Sequence, residues 1–582
     1  MKYFFAISLL CVAFVAQAQL QRPAIDGRFD EWISQTPTYV DEKGDGGSSG
    51  IDFVNLTIRN DERFLYLSFD VGREVVLQKD NRITLYIDAD GSASTGFVNG
   101  KMGADIVWTF GDRQGTAYIS SGPVPLKPAD ISLVAAPSFS SDRFEIAVDR
   151  QSEIDDTRMF TGSFIRVVLE DRSAGGDRLP DEYVPVRYSW RDDAYDSIAT
   201  IPLLKTRPAH IRVLSWNVHN GGFMDADRRP AFTRILRVLQ PDILCLQELF
   251  GKTAEEVQQY IRSILSPSAG KEFTAYKIDQ GNVLVTCYPV EQKAIVLDNH
   301  RLSAFLLRVH ESPVQRVLVV NAHLRCCNAD DKRQQEADAF ISFLRATKNG
   351  TGPFVLPERT PILLMGDMNF VGDRRQLQTL LTGDIFDNAE FGPDEPPDWD
   401  GGDLEDLNPR HVTNLFTFTW HNEPSNYLPG RLDYVLYSGS VLDIPHAYVF
   451  SSADLAPDEL KRTGLWVDDS RTASDHFPVV ADISLARPAG TRPAEVSHFR
   501  LQPVYPNPFS SGFTVVFQLD KPAPVSVILT DVLGRIFRAR DLGMLSPGNH
   551  SVRINDADLP RVLKVLVRAG EKSAARTAVR IR

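Results

Sequence analysis

Polar residues that can take part in chemistry stand at the ends of apolar runs in the middle of the chain. The stretch GDMNF, Gly366 to Phe370, follows the run PILLM and presents Asp367 and Asn369 two positions apart. Side chains two apart on an extended chain point the same way. A carboxylate and an amide at the edge of a core either close a turn or form part of a reactive site.

Five further motifs end or follow apolar runs in the same manner. They supply Asn217 in SWNVHN, Glu248 in LQEL, His323 in NAHL, Asp433 in RLDYVL, and Asp475 with His476 in SDHFP. Any one of these motifs alone is typical of a turn or of a satisfied core residue. Together the six motifs place four carboxylates, two amides and two imidazoles at strand ends. Charged groups so close to a core need partners, a metal or a substrate.

The elements that must position these residues lie in residues 208–487. Apolar strand patterns alternate there with amphipathic helical ones, RRPAFTRILRVL and DDKRQQEADAFISFLRAT. The strand patterns are IRVLSWN, DILCLQE, NVLVTCYP, RVLVVNAHL, PILLMGD, LDYVLYS and FPVVADI. This alternation predicts a layered α/β domain with a large mixed sheet core. Cys245 and Cys287 fall in apolar runs and are predicted to be buried thiols.

The order WN, QE, NAHL, GDMN, DY and SDH resembles the endonuclease/exonuclease/phosphatase superfamily, the deoxyribonuclease I-like enzymes, over residues 211–484. The resemblance implies a four-layer α/β sandwich, in which two mixed sheets pack face to face with helices outside. The chain departs from the pattern shortly after the WN motif. Many members carry an acidic residue there, whereas this chain has His219 and Asn220.

Hydrolysis of a phosphodiester needs a metal to neutralise developing charge, a base for water, and donors for the phosphoryl oxygens. Mg²⁺, or Mn²⁺ in its place, prefers oxygen ligands and keeps several waters, so one or two carboxylates suffice. Glu248 is therefore the first predicted metal ligand, with Asn217 beside it. The resemblance adds Asp475 as a further ligand or as an orienting residue.

The resemblance also implies roles for the remaining polar residues. Asp433 should orient His476, which acts as a base or as a phosphate-binding imidazole. His323 should bind the phosphate or assist the leaving group. Asp367 and Asn369 should position the attacking water and a phosphoryl oxygen.

Residues 20–204 carry short alternating runs, FLYLSFDV, RITLYIDAD and RFEIAVD, separated by Gly, Asp and Ser clusters. This pattern predicts a β-sandwich. The stretches IDGRFDEW and YIDADGSASTG resemble the family nine type of carbohydrate-binding module, which makes a glycan an expected partner. Asp88 and Asp90, with Asp41 and Asp45, supply oxygen ligands suited to Ca²⁺. Turn formation by Asp and Gly is an equal alternative.

The two ends of the chain predict export. Residues 1–18 have the charged start, apolar run and small-residue cleavage site of a signal peptide, and no later stretch is apolar enough to span a bilayer. A Pro/Gly-rich linker over 488–496 precedes short strand patterns in 497–582. There the motifs at Val504–Phe509 and Asp531–Arg535 resemble the C-terminal sorting domain of type IX secretion. The expectation is a secreted or cell-surface protein that is handled by the type IX secretion machinery.

Charge limits the partners. The formal net charge is −13, which gives no sign of a basic nucleic-acid clamp. Residues 384–406 hold ten acidic residues and no basic one, and a solvated, flexible loop is expected there. If this loop borders the site, it should repel a long polyanion.

The sequence therefore predicts a multidomain chain whose α/β four-layer sandwich is the catalytic domain, flanked by an N-terminal β-sandwich and a small C-terminal one. Its predicted function is that of a secreted divalent-metal-dependent phosphodiesterase, with an extracellular nuclease as one form. A phospholipid (sphingomyelinase-like) or sugar/inositol phosphoesterase is the alternative, so the substrate is a nucleic acid, a phospholipid head group or a small phosphodiester. A surface adhesion or glycan-binding protein with an inactive scaffold domain is the alternative of another class.

Overall fold

The structure is a computed structural model. It describes residues 22–485, without 34, 182–183, 192–194, 268–269 and 299–300, and residues 500–580, without 502–503, 505–508, 510–511, 520–521, 531–535, 547, 556–558, 560–561 and 570–571. The predicted signal peptide and linker, and most of both sorting motifs, lie outside the described residues. The chain divides into two compact units, Met1–Ala486 and Arg487–Arg582, and its described part is mostly β. No helix in that part has the length and apolar character that a bilayer crossing requires.

The N-terminal part of the first unit is built from two antiparallel sheets. In spatial order, one sheet has the strands Tyr39–Val40, Asn55–Asn60, Phe64–Val75, Ser141–Asp149 and Val134–Ala136. The other has Arg178–Leu179, Phe164–Asp171, Ile83–Asp88, Ile106–Thr109, Gln114–Ile119 and Gly122–Leu126, with Val186–Ser189 also paired to Phe164–Asp171. Apolar side chains from both sheets, such as Leu67 and Ile87, pack into one shared core. The three alternating runs predicted as strands are strands.

Short elements complete this part of the chain. Two hairpins are formed by Phe97–Asn99 with Met102–Ala104 and by Glu153–Ile154 with Thr157–Arg158. One turn of helix covers Asp30–Ile33, and a 3₁₀ turn covers Pro128–Ile131.

Residues 211–485 contain two mixed sheets. One has, in spatial order, the strands Thr274–Tyr276, Val283–Thr286, Ile243–Gln247, Ile211–Asn217, Val479–Leu485 and Leu442–Val449. The other has Val290–Ile295, Leu302–Glu311, Val314–His323, Ile362–Asp367, Asp433–Tyr437 and Glu405–Leu407. All seven apolar runs predicted as strands of this region are found among them.

Helices cover the outer faces of the two sheets. Their bounds are Arg229–Leu239, Ala254–Ile264, Asp330–Lys348, Arg375–Thr382, Asn388–Phe391, Pro457–Thr463 and Asp469–Ala473, with 3₁₀ turns at Gly222–Met224 and Ser452–Asp454. Both predicted helices are present. The helix Ala254–Ile264 begins at Thr253, whose hydroxyl accepts from Glu256 N while the Glu256 carboxylate accepts from Thr253 N, a capping box.

Alternation along each strand divides the apolar side chains between two cores. Val213 and Cys245 face Val319 and Leu363 of the other sheet in a core between the sheets. Leu214 packs instead with helical residues such as Phe232 on the outer side. On the other sheet the core around Leu364 includes residues of the helix Asp330–Lys348, such as Phe340. Since successive side chains point to opposite faces, strands buried on both sides read as nearly continuous apolar runs.

The acidic segment 384–406 is mostly exposed, as its charge predicts, but parts of it are ordered. It contains the helix Asn388–Phe391 and the strand Glu405–Leu407. Asp398 is buried and accepts a hydrogen bond from Ser440 N at 3.0 Å. A charge count cannot reveal such partners, because they lie elsewhere in the sequence.

The second unit is described by its strands. One sheet has Arg500–Leu501, Phe513–Leu519 and Gly548–Ile554, and another has Ile536–Leu545, Ala523–Thr530, Val562–Ala569 and Lys572–Val579. Phe513, Val527 and Val565, from three of these strands, are buried together in one core.

Candidate active site

Strand register brings three of the predicted site residues into one row. The strand Val314–His323 pairs in parallel with Ile362–Asp367, which places His323 opposite Asp367. Ile362–Asp367 pairs in antiparallel fashion with Asp433–Tyr437, which places Asp367 opposite Asp433. Gly366 permits the close approach, since a Cβ at this residue would lie 1.8 Å from the Ala322 carbonyl oxygen. Its φ of +148° also favours glycine.

The other sheet brings the remaining residues to the same place. Ile211–Asn217 pairs in parallel with Ile243–Gln247, so Asn217 and Glu248 leave the sheet at one edge. Asp475 and His476 lie just before the strand Val479–Leu485, which is antiparallel to Ile211–Asn217 and therefore begins at that edge. The Trp216 indole donates to the His476 carbonyl oxygen at 2.9 Å and fixes this approach.

Asp367 is the hub of the site. The Asn217 amide nitrogen donates to Asp367 Oδ2 at 3.0 Å and to Glu248 Oε1 at 3.1 Å. The same Asp367 oxygen lies 3.6 Å from His323 Nε2 and 3.8 Å from His476 Nε2. Burial raises the pKa of Asp367 above its ordinary value. The site thus joins carboxylates, imidazoles and an amide from both sheets.

Asp433 and His476 form a buried dyad. Asp433 Oδ2 lies 2.8 Å from His476 Nδ1, and both side chains are almost inaccessible to solvent. Burial alone would lower the pKa of His476, but the charges of Asp433 and Asp367 raise it above its ordinary value. With Nδ1 engaged by Asp433, Nε2 is the nitrogen that faces Asp367. This is the pairing that the resemblance implies.

His323 is also a buried imidazole, but its pKa shifts in the opposite direction to that of His476. Burial, together with the charges of Arg301 and His476, lowers the pKa of His323 to about 3. The ring is therefore neutral at neutral pH. Its Nε2 lies 4.0 Å from Glu248 Oε1 as well as near Asp367, so it reaches both carboxylates.

Glu248 and Asn369 stand on strained backbone. Their φ angles are +62° and +52°, in the left-handed region that residues other than glycine seldom adopt. Asn369 N donates to Asp367 Oδ1 at 3.0 Å, which closes a turn, and the Asn369 amide donates to the Leu324 carbonyl oxygen at 3.1 Å. The turn and the site are therefore the same structure here.

Asp475 is held by two residues that sequence reasoning did not assign to the site. Its Oδ1 lies 3.1 Å from His219 Nδ1, and its Oδ2 accepts from the Trp420 indole at 3.1 Å. Burial alone would raise the pKa of Asp475, but the hydrogen bond from His219 and the charge of His476 lower it. The hydrogen bond to Asp475 raises the pKa of His219. His219 lies shortly after the WN motif, where many members of the family that the sequence resembles carry an acidic residue. This difference from the family pattern was the only sequence feature that pointed to His219.

The donors present fit a hard divalent cation. Glu248 faces the cleft with its side chain 21% exposed, and its Oε1 shares the Asn217 amide with Asp367. Asp367, Asp433 and His476 each offer a ligand atom within 4.8 Å of the others. Asp433 Oδ1 is buried and has no hydrogen-bond partner among the described residues. An oxygen-rich set with an unsatisfied buried carboxylate oxygen suits Mg²⁺ or Mn²⁺.

The Asn217 side chain makes three hydrogen bonds within the site. Its amide nitrogen binds the two carboxylates, and its amide oxygen accepts from His219 N at 2.9 Å. Its predicted role as a direct metal ligand, like that of Asp475, stays a prediction.

The site opens into a cleft of about 750 Å³. Glu248, His323 and Asp475 line one part of it, and Gln78, Lys79 and Arg113, from loops of the N-terminal part, line another. No residue of the acidic segment 384–406, all of which is described, lines this cleft. No local pattern in residues 76–113 indicated that they reach the site.

The aspartates suggested for Ca²⁺ in the N-terminal part fall into separate groups. Asp88 and Asp90 lie with Asp105, and Asp41 and Asp45 lie with Asp181. Asp88 is paired with Arg166, which already compensates its charge. The four aspartates therefore do not form one ligand set, and binding of Ca²⁺ at either group stays a prediction.

No curated protein sequence matches the chain. Among solved structures, ANGEL2, a 2′,3′-cyclic phosphatase, is 15% identical over 47% of this chain and 96% of its own, with a TM-score of 0.32. The AP endonuclease LMAP from Leishmania major is 13% identical over 49% and 93%, with a TM-score of 0.29. Sphingomyelinase C from Streptomyces griseocarneus is 17% identical over 47% and 99%, with a TM-score of 0.27.

A family profile matches the part of the chain that carries the site. Residues 214–476 match the Endonuclease/Exonuclease/phosphatase family. All eight predicted site residues, from Asn217 to His476, lie inside this range. This part of the chain is therefore similar to the Endonuclease/Exonuclease/phosphatase family, and the protein is an enzyme of the metal-dependent phosphoric ester hydrolase type.

Proposed function

We propose that this enzyme is an exported phosphodiesterase that hydrolyses its substrate at the cleft end of the two sheets. One observation carries the proposal: Asp367 Oδ2 lies within 3.0–3.8 Å of Asn217, His323 and His476. A carboxylate surrounded by two imidazoles and an amide can hold water and a phosphoryl group together. This is the arrangement that attack on phosphorus requires.

Each site residue has a proposed role that its contacts support. Asp367 orients the attacking water, with Asn217 fixing its Oδ2. His476, held by Asp433, presents Nε2 to the phosphoryl group or to the proton that is transferred. His323 is neutral and donates or accepts a proton near the leaving group.

A bound divalent cation would supply the charge that neutralises the phosphoryl oxygens. Glu248 would hold it, with the neighbouring carboxylates and Asn217 completing or orienting the set. The support for this is the oxygen-rich donor set at the cleft.

We also propose how the layers and domains of the chain are arranged. Two mixed sheets that share a core and carry helices outside support a four-layer α/β sandwich. The sheets of residues 39–189 support an N-terminal β-sandwich, and the strands of 500–579 support a C-terminal one. A glycan as ligand of the N-terminal part rests on the sequence resemblance alone.

The test is a substrate panel on the chain from residue 19 onward. Single-stranded and duplex DNA, RNA, sphingomyelin, bis(p-nitrophenyl) phosphate and the monoester p-nitrophenyl phosphate are assayed with Mg²⁺, with Mn²⁺ and with EDTA. Metal-dependent release of product from at least one diester supports the proposal. Hydrolysis of phosphate monoesters alone would replace it with a phosphatase, and sphingomyelin as the sole substrate would select the phospholipid alternative. Absence of turnover on every substrate would favour the adhesion alternative.

We infer export from the sequence motifs at both ends. The expectation is that the signal peptide carries the chain across one membrane and that residues 497–582 address it to the type IX machinery. Cell fractionation in a host with type IX secretion should find full-length protein on the surface or in the medium. A chain that ends at residue 496 should remain in the periplasm with its activity intact, and equal surface levels of both would refute the sorting role.

A further inference from the structure

The N-terminal sandwich forms one wall of the substrate cleft. Its contribution comes from the segment after Phe64–Val75 and from the turn between Ile106–Thr109 and Gln114–Ile119. Gln78, Lys79 and Arg113 bring polar and positive groups to the same cleft as Glu248 and Asp367.

This wall is anchored to the catalytic domain. Leu428 is buried in the core of the N-terminal sheets, although it belongs to the loop before Asp433–Tyr437. Leu428 N donates to Gln78 Oε1 at 2.7 Å. Ser138 Oγ lies 2.9 Å from the Phe370 carbonyl oxygen and 3.0 Å from that of Arg431. An apolar anchor and direct hydrogen bonds hold the wall in a fixed position beside the site.

Arg113 is positioned by both domains. Its guanidinium lies 4.4 Å from the centroid of the Tyr427 ring, and its Nη1 donates to the Gln78 carbonyl oxygen at 2.7 Å. Stacking uses the face of a guanidinium, whereas its N–H groups donate from the edge. An arginine held in this way can present a fork of donors to an anion with little loss of side-chain entropy.

Lys79 adds a second positive charge to the wall. Its Nζ lies 3.9 Å from Asp80 Oδ2, and the Asp80 side chain is 86% exposed. A surface pair at this distance is weak, so Lys79 can exchange Asp80 for a stronger anion. Asp330, another carboxylate that lines the cleft, already accepts from Arg333 at 2.7 Å.

We propose that Arg113 and Lys79 bind a second phosphate group of the substrate, one that is not hydrolysed. The inference rests on the proposed phosphodiesterase function, because the reacting phosphate occupies the site around Asp367. Tyr427 and Phe250 expose 51% and 44% of their surfaces and both line the cleft. Flat apolar rings beside cations suit the organic part between two phosphates.

The wall therefore selects substrates by their second phosphate. This phosphate can come from a short nucleic-acid strand or from a phosphorylated head group, because both present the same oxygens to Arg113. A charge-assisted, forked contact of this kind should contribute about tenfold or more in affinity.

Binding is measured by calorimetry in EDTA, so that turnover is not needed. One pair of ligands is a thymidine dinucleotide with and without a 5′-phosphate. The other pair is glycerophosphoinositol with and without a phosphate on the ring. The wild-type chain should bind the phosphorylated member of at least one pair about tenfold more tightly. The pair that shows the preference identifies the source of the phosphate.

Three variants and a control complete the test. Arg113→Gln and Lys79→Gln should each reduce the preference, and Arg113→Lys should restore part of it because the charge returns. Arg158→Gln removes an exposed arginine of the same sandwich that does not line the cleft, and it should keep the preference. The inference would be overturned if the wild type showed no preference for the phosphorylated member of either pair. It would also be overturned if Arg113→Gln and Lys79→Gln both kept the full preference of the wild type. Hydrolysis in Mg²⁺, assayed separately, reports on the proposed function alone.

Discussion

Asp433 Oδ2 lies 2.8 Å from His476 Nδ1, although Asp433 begins a strand of one sheet and His476 precedes a strand of the other. The contact therefore exists only in the folded domain. It fixes which nitrogen of His476 faces Asp367 and the cleft.

The first prediction concerns this dyad. His476→Gln should lower kcat on a generic phosphodiester by about a hundredfold or more, and Asp433→Asn should also lower it by misorienting the ring. The control is His446→Gln, since His446 makes a similar buried contact, 2.9 Å from Asp482, outside the cleft. Near-native kcat in folded His476→Gln would show that His476 has no part in the chemistry.

A second prediction tests Glu248 as the principal metal ligand. Glu248→Gln keeps the size of the side chain but removes the charge, which a hard cation needs. The Mg²⁺ concentration that gives half-maximal activity should rise at least about tenfold. Glu255→Gln, on the exposed first turn of the helix Ala254–Ile264, serves as the control. An unchanged Mg²⁺ titration in Glu248→Gln would remove Glu248 from the metal site.

The third prediction concerns stability and pH. Arg212 is buried and makes two hydrogen bonds to Asp482, from Nε at 2.6 Å and from Nη2 at 2.9 Å. Burial alone would raise the pKa of Asp482, but the hydrogen bonds from His446 and Arg212 lower it to about 2. The unfolded value is about 3.9, so the carboxylate stabilises the fold fully above about pH 4 and loses that effect as pH falls towards 2.

Asp482→Asn should therefore destabilise the protein at neutral pH by about 3–5 kcal/mol, because it leaves the Arg212 charge buried without its partner. Its destabilisation relative to wild type should shrink as pH falls from about 4 to 2. Chemical denaturation across pH measures both effects, with Asp443→Asn, an exposed residue of a neighbouring strand, as the control. A constant difference across this range would contradict the assignment.

A fourth prediction follows from the shared core of the two domains. Leu428 is 2% exposed and packs with the N-terminal sheets, so Leu428→Ala should cost about 2–5 kcal/mol. It should also loosen the wall that carries Gln78 and Arg113. Leu204→Ala, at a leucine that is 58% exposed, should have little effect. Equal thermal stability of the two variants would show that the two domains do not depend on this contact.

The sequence predicted the parts of the site that are local. Strand ends were visible as apolar runs, and parallel pairing then brings His323 and Asp367 together at one edge. The contacts of Asp475 were not visible, because Trp420 lies 55 residues away and carries no motif. The wall formed by Gln78 and Arg113 was not predictable either, since Gln78 meets Leu428 across 350 residues. Contacts at such separations depend on how domains dock, and strand periodicity does not encode docking.

The acidic segment 384–406 also has partners that its sequence does not reveal. Its composition predicts a solvated, flexible loop, and most of its residues are exposed. Asp338, on a helix some fifty residues earlier, nevertheless accepts from Phe386 N and Asp387 N at 3.0 Å. Composition describes the segment alone, whereas order depends on partners supplied by the fold.

The measurement that tests the account most directly is metal-restored hydrolysis by the wild type and by Asp367→Asn. Both proteins, from residue 19 onward, are stripped with EDTA and assayed on bis(p-nitrophenyl) phosphate before and after Mg²⁺ or Mn²⁺ is added. The wild type should be inactive in EDTA and should recover its activity with metal. Folded Asp367→Asn should stay at least about a hundredfold slower, because the carboxylate that Asn217, His323 and His476 surround is lost. Full activity of the wild type in EDTA, or full activity of Asp367→Asn with metal, would contradict a metal-dependent phosphodiesterase centred on Asp367.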